Sequence, residues 1–81
     1  MIDELKQSKK AVGLKQSLKA IESGTAVKAY LARDCAPHIF DEIENNCIKH
    51  RVTVEYADTM SELGRACGID VGAAVAVMIK G

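Results

Sequence analysis

No stretch of the chain is apolar for long enough to cross a membrane as a helix, which takes roughly 18 or more consecutive residues. The first ten residues, MIDELKQSKK, lack the apolar centre of a secretory signal. A cytoplasmic location is therefore expected. Cysteine is sparse: Cys35, Cys47 and Cys67 are odd in number and nowhere spaced as CxxC. That pattern excludes a disulfide framework and fits reduced thiols serving as small buried hydrophobes. Internal repeats, linkers and low-complexity segments are absent. The glycines of ELGRACGIDVG do not form a GxGxxG dinucleotide fingerprint, so Gly64 is expected to permit close helix packing and Gly72 a close approach to a strand. Net charge is missing as well, with eleven basic and eleven acidic residues. A general polyanion binder would be more basic.

What is present describes one small globular domain. The chain has 81 residues, 48% hydrophobic and 27% charged, near the lower size at which a core without staples is comfortable. The zero net charge hides a lopsided distribution. Residues 1–33 carry seven Lys or Arg against three acids, whereas residues 34–70 carry three against eight. Five lysines and no acid lie between Lys6 and Lys19, so one face should be electropositive although the molecule is neutral.

The densest information is in VGLKQSLKAIESG, Val12 to Gly24. Leu14, Leu18 and Ile21 recur at i, i+4 and i+7 and make one buried stripe of a short helix. Lys15, Gln16 and Lys19 fall on the other side, three or four residues apart, and can reach one ligand at the helix start. The first turn adds unpaired backbone N–H groups and the positive end of the helix dipole. Gly13 lets a partner's backbone come close. Two cations, an amide and a bare helix start suit nucleic acid; by itself, a Lys-rich pattern more often marks a solvated helix face.

Around this helix the chain alternates helices and strands. Ile2 to Ser8 reads as a short helix with Ile2, Leu5 and the stem of Lys9 inward and Asp3 and Glu4 in its first turn. Ala11 and Val12 are briefly extended, the second helix runs from about Leu14 to Ser23, and Gly24 takes a left-handed C-cap. Val27 to Ala32 reads as an interior strand. Pro37 opens a helix from about His38 to His50, with Ile39, Phe40, Ile43, Cys47 and Ile48 inward and Asp41, Glu42 and Glu44 outside. Val52 to Tyr56 is a strand. Thr59 and Glu62 form a capping box for a helix that Gly68 ends, and Val71 to Ile79, apolar throughout, is expected to be a strand buried on both faces. This order predicts a single-domain three-layer α/β/α sandwich with a central mixed sheet.

Other constellations favour structural roles. Cys47 and His50 are three apart on a helix, but no second pair completes a zinc site. Cys35 lies near His38 and Asp34, yet a proline intervenes and the segment opens a helix. Met60 can be core filler or an exposed flexible contact. Nothing amounts to a catalytic set, and neither enzymatic activity nor a cofactor or metal is expected.

GLKQSLKAIESG, the ARDCAP loop and ELGRACGIDVGAAVAVMI, in this order and spacing from about Lys9 to Ile79, resemble the kink-turn RNA-binding ribosomal protein family, the L-seven-Ae class, in its short bacterial form. The resemblance implies the sandwich fold already reached. It also implies a function in recognising and stabilising kink-turns of ribosomal or regulatory RNA, as a monomer associated with the ribosome and not with a membrane. The opening of the second helix, Gly13, Leu14, Lys15 and Gln16 with Lys19, is similar to the segment that meets tandem sheared G·A pairs. The loop Ala57, Asp58, Thr59 and Met60 matches the segment that packs on an unstacked nucleotide. Arg33, at a strand end beside the second helix in the inferred fold, becomes a phosphate contact. Archaeal members resemble GxNExxK; here Lys15 and Gln16 stand where they have Asn and Glu. A protein-interaction adaptor on the same fold, working through Asp41 to Glu44 or the thiols, is the alternative from a different class.

Overall fold

The computed structural model describes residues 2–80, with side chains from Glu4 onward. Eight elements alternate along the chain: α1 (Ile2–Lys6), β1 (Lys10–Val12), α2 (Leu14–Glu22), β2 (Ala26–Ala32), α3 (Pro37–His50), β3 (Thr53–Ala57), α4 (Met60–Ala66) and β4 (Val75–Ile79). The strands form one sheet in the order β1-β4-β2-β3. β2 and β3 are parallel, while β4 runs antiparallel to both of its neighbours.

Side chains alternate across the sheet with period two, and that alternation assigns the layers. Tyr30 donates from its hydroxyl to the Glu4 carboxylate, which places it beneath α1. Tyr56, opposite Leu31 in the register, reaches the Glu44 carboxylate on α3, on the other face. The helices α2 and α3 pack together over that second face, and α1 packs with α4 over the first. The expected α/β/α sandwich with a central mixed sheet is thus the observed architecture. Its core runs through Leu5, Ile21, Leu31, Ile43, Leu63, Val75 and Val77, all fully buried. Lys28 holds α1 to the sheet from below, 3.1 Å from Glu4 and 3.5 Å from Glu55. Its ammonium, with help from the Tyr30 hydroxyl, lowers the Glu4 carboxyl from its ordinary range.

Several expectations need correction. Helix α1 ends at Lys6, and Lys9 is exposed rather than packed by its stem. Lys10 does the interior work instead, with its Nζ donating to the carbonyls of Leu5 and Ser8 at the helix end. The inward packing of Ile2 and the first-turn role of Asp3 lie outside the described side chains. In α2 the buried residues are Ser17, Ala20 and Ile21, and Leu14 and Leu18 are only half-buried. Small side chains at 17 and 20 let the helix sit close, so the contact stripe is rotated away from the two leucines. Ile48 is 75% exposed, because five residues beyond Ile43 it has turned roughly 140° off the buried face. Cys67 is only partly buried, unlike Cys35 and Cys47.

The largest difference concerns Val71 to Ile79. Only Val75–Ile79 is strand, and Val71 is 71% exposed. The preceding residues are committed elsewhere: the Ala73 amide donates to the Met60 carbonyl and the Ile69 amide to that of Gly64. A Cβ built on Gly64 would lie 2.1 Å from the Val71 carbonyl oxygen, and one on Gly72 would lie 3.0 Å from the Met60 Cβ. Gly72 therefore meets the start of α4, not a strand. The segment between α4 and β4 lies flat on the helix because both contact points lack a side chain.

Two outcomes follow for stability. Gly64→Ala should destabilise the fold by about 3 kcal/mol, because a rigid backbone oxygen occupies the space of the new methyl. Urea unfolding measures this, and a loss well under 1 kcal/mol would mean that the segment does not press on α4. Thr59 accepts a hydrogen bond from the Glu62 amide at 3.0 Å, so Thr59→Ala should cost about 0.5–2 kcal/mol. An unchanged midpoint in the same experiment would show that the cap is dispensable.

Candidate nucleic-acid interface

The strand directions gather the interesting residues at one end of the sheet. β1, β2 and β3 all run the same way and β4 runs against them. The chain therefore leaves β1, β2 and β3 at a common end, and the segment entering β4 arrives there too. Backbone hydrogen bonds join these exits: the Gly13 amide donates to the Val75 carbonyl, Ala32 to Ala74, and Arg33 to Ala57, each at 2.9 Å. The Met60 amide donates to the Asp34 carboxylate at 2.7 Å. Helices α2, α3 and α4 all start here, so three positive dipole ends face the same region.

The start of α2 is the barest of them. Gly13 occupies the N-cap with φ 93°, a conformation that favours glycine, and no side chain caps the helix. There is no acid in the first turn. Lys15, Gln16 and Lys19 are exposed and have neither hydrogen-bond nor ion-pair partners among the described residues. They line an open depression of about 730 Å³ together with Leu18, Glu22 and Ser23. Leu14, half-buried at the helix start, packs against the core. These side chains are free to bind, and the helix start between them has no internal anion.

The second segment is also at this end but is shorter than expected. Ala57 closes β3 and is 2% exposed, so its side chain is shut away from any ligand. Asp58 and Thr59 are exposed. Met60 is half-buried as the first residue of α4, between Gly72 and the core. Next to Gly72, which meets Met60, lies an apolar residue that was expected in the core, Val71 at 71% exposure. The uniform apolar run hid it; the signal available was the Gly68-Ile69-Asp70 break, with Gly68 at positive φ.

Arg33 sits at the end of β2 as expected, but not beside α2. Its guanidinium lies over the Tyr56 ring, 4.7 Å from the centroid, and Tyr56 in turn stacks on Phe40 at 5.7 Å. The depression it borders, about 220 Å³, is otherwise lined by Cys35, Pro37, Phe40 and Asp41, with no residue of α2. The cation–π contact draws the side chain toward α3. Arg33 thus flanks the region on the side opposite Lys15 and Lys19.

Burial raises all three thiols above their ordinary range, away from the thiolate a nucleophile needs. Burial first, and the Asp34 charge second, push the Cys35 thiol up from its ordinary value, and burial pushes Cys47 up to about 11. Cys47 is buried while His50 is exposed, so the thiol is shut into the core and the imidazole is open to solvent. Among the described residues no group of three His, Cys, Asp or Glu side chains could hold a metal ion, and no helix is long and apolar enough to cross a membrane.

The chain is 44% identical over 73 residues to a protein of Caldanaerobacter subterraneus named RNA-binding protein, covering 90% of this chain and 89% of that one. A second protein of that name, from Halalkalibacterium halodurans, is 38% identical over 69 residues, 85% of this chain and 84% of its own. The large ribosomal subunit protein eL8 of Haloquadratum walsbyi is 34% identical over 83% of this chain and 57% of its own. Among solved structures, the Giardia lamblia 15.5kD RNA binding protein superposes with a TM-score of 0.85 at 25% identity, covering 99% of this chain and 68% of that one. The sequence model of the ribosomal protein L7Ae/L30e/S12e/Gadd45 family matches residues 2–81, and the chain belongs to that family.

Proposed function

We propose that this protein binds RNA, that it recognises and stabilises kink-turns in ribosomal or regulatory RNA in the cytoplasm, and that it does so as a monomeric, non-enzymatic partner of the ribosome. The observation that carries this reading is the uncapped start of α2, with Lys15, Gln16 and Lys19 unpartnered around it, at the same sheet end as Asp58, Thr59, Met60 and Val71. Relatives named as RNA-binding proteins and the family itself support the same direction.

The chemistry is specific to a distorted RNA. An undistorted A-form helix hides its base edges in a deep, narrow major groove; a kink opens it. Gln16 offers both a donor and an acceptor to the edges of tandem sheared G·A pairs, and Lys15 and Lys19 can donate to guanine O6 and N7 or to phosphate. Gly13, with no side chain, lets the sugar–phosphate backbone approach the free N–H groups of the first turn, and Leu14 supports it from below. An extruded nucleotide would be covered by Met60 and Val71 above Asp58 and Thr59, apolar surface that tolerates any base. Arg33 would meet a phosphate on the far flank.

A calorimetric titration against a kink-turn duplex and a straight duplex of equal length should show strong preference for the kinked one. The logarithm of affinity should fall with that of salt by only a few units of slope, because each neutralised phosphate contributes about 0.7–0.9. Equal affinities would leave electrostatics alone and end the shape-reading proposal. Gln16→Ala should lose roughly 1–3 kcal/mol against RNA with both G·A pairs and little against RNA already lacking them. A double-mutant cycle between Gln16 and the base pairs reads this directly, and zero coupling removes Gln16 from the site.

A further inference from the structure

The α2 helix has a second flank that the proposed contacts do not use. Between it and the edge of the sheet runs a trough of about 210 Å³. Its floor is Ala11 on β1, Ala20 on α2 and Ile79 on β4; its rim is Gln16, Lys19, Ser23 and Thr25. Gln16, Lys19 and Ser23 also border the larger depression on the other flank, so the two surfaces are continuous across a single ridge. Glu22 borders only the larger depression, and among the described residues no acidic side chain lines the trough.

Strand geometry adds a cation at its foot. Ala11 faces α2, and Lys10 faces the other way, with its Nζ on the carbonyls of Leu5 and Ser8. Lys9, two residues before Ala11, returns to the α2 face by the period of two. Its carbonyl accepts from the Ile79 amide at 2.9 Å, which continues the ladder one step past β1. Lys9 is exposed. The trough therefore runs from Lys19, in the last turn of α2, toward the end of the sheet edge where Lys9 precedes β1, over Ala11, Ala20 and Ile79.

We propose that this trough is a second RNA subsite, which seats the sugar–phosphate backbone of one stem as it leaves the kink. The inference rests on the kink-turn reading above and extends its footprint along α2. Lys19 on the rim and the exposed Lys9 near its foot are cations available to phosphates, and the floor of Ala11, Ala20 and Ile79 offers an apolar surface to a ribose. Ser23 and Thr25 distinguish this occupant from other polyanions. Their hydroxyls lie 3.1 Å apart and each is within donating distance of the Ala20 carbonyl, and with their protons turned inward both keep acceptor capacity at the rim. A ribose 2′-OH can donate there, and a deoxyribose cannot.

The test uses the full chain and three kink-turn RNAs: one with minimal stems, and two with a single stem extended on either side. Extension of one stem, and not the other, should raise affinity several-fold. Lys9→Ala should abolish that gain, reduce the salt slope by about one on the extended RNA, and leave the minimal RNA bound as before. Deoxy substitution in the extended strand should lower affinity several-fold, and Thr25→Val should remove that sensitivity. Lys49→Ala, which changes net charge equally from the end of α3, is the control. A protein that prefers kinked over straight RNA but is indifferent to stem length, or loses equally on all three RNAs with Lys9→Ala, overturns this proposal alone. Loss of the kinked-over-straight preference itself overturns the function on which it rests.

Discussion

Strand direction is the constraint from which the rest of the structure follows. With β1, β2 and β3 running one way, every connection that climbs back to begin a parallel neighbour must start at the same sheet end. Three helices therefore begin side by side, with their unpaired N–H groups and dipoles adding rather than cancelling. Asp34 accepts the Met60 amide and Thr59 the Glu62 amide, so α4 is satisfied internally. The start of α2 has no equivalent side chain. Helix α3 also lacks a side-chain cap, but Pro37 has no N–H and the Ile39 and Phe40 amides bond the Ala36 carbonyl, so the start of α2, beside Lys15 and Gln16, keeps the most open donors.

Close packing holds that end in shape despite the small size of the domain. Gly64 and Gly72 let the segment after α4 lie against the helix, and the Ala73 amide closes onto Met60. Ser17 and Ala20 do the same for α2 against the sheet. Each contact replaces a side chain with backbone proximity, so the position of the exits is set by main-chain atoms, which do not change rotamer. A site assembled from loops needs that kind of support if its side chains are to meet a partner in one geometry.

The periodic and capped parts of the sequence were the legible ones. Gly24 and Gly68 both take the positive φ their places after helices required, Pro37 opens α3, and the Thr59–Glu62 box formed. Alternation of element types was enough to imply the three layers. What the sequence hid were contacts between elements. The apolar run before β4 carries no periodicity to mark where pairing ends, so exposed Val71 read as core. Cation–π contact with Tyr56 decides where Arg33 points, and nothing adjacent to Arg33 in sequence indicates it. Ala57 was read as loop because a strand of alternating burial and a turn start alike; its pairing opposite Ala32 decides the matter.

The split of charge along the chain becomes a split in space on one face. Helices α2 and α3 lie next to each other, and one carries Lys15 and Lys19 while the other exposes Asp41 and Glu42. Glu44 is bound to the Tyr56 hydroxyl, which keeps its carboxylate on that side as well. A polyanion arriving at the common sheet end is attracted by the first helix and repelled by the second, within about one Debye length of both. Neutral overall charge then has a use: it suppresses indiscriminate adhesion to nucleic acid while the local field still orients the approach. With acids exposed on α3 and side-chain caps on α4, the open cationic surface at the common sheet end continues along α2. The edge strand β1 is only three residues long, with Lys9 and Lys10 at its start facing opposite ways. A short, charged edge is protected against pairing with another sheet. In this chain the lysine that guards the edge is also the one proposed to meet a stem.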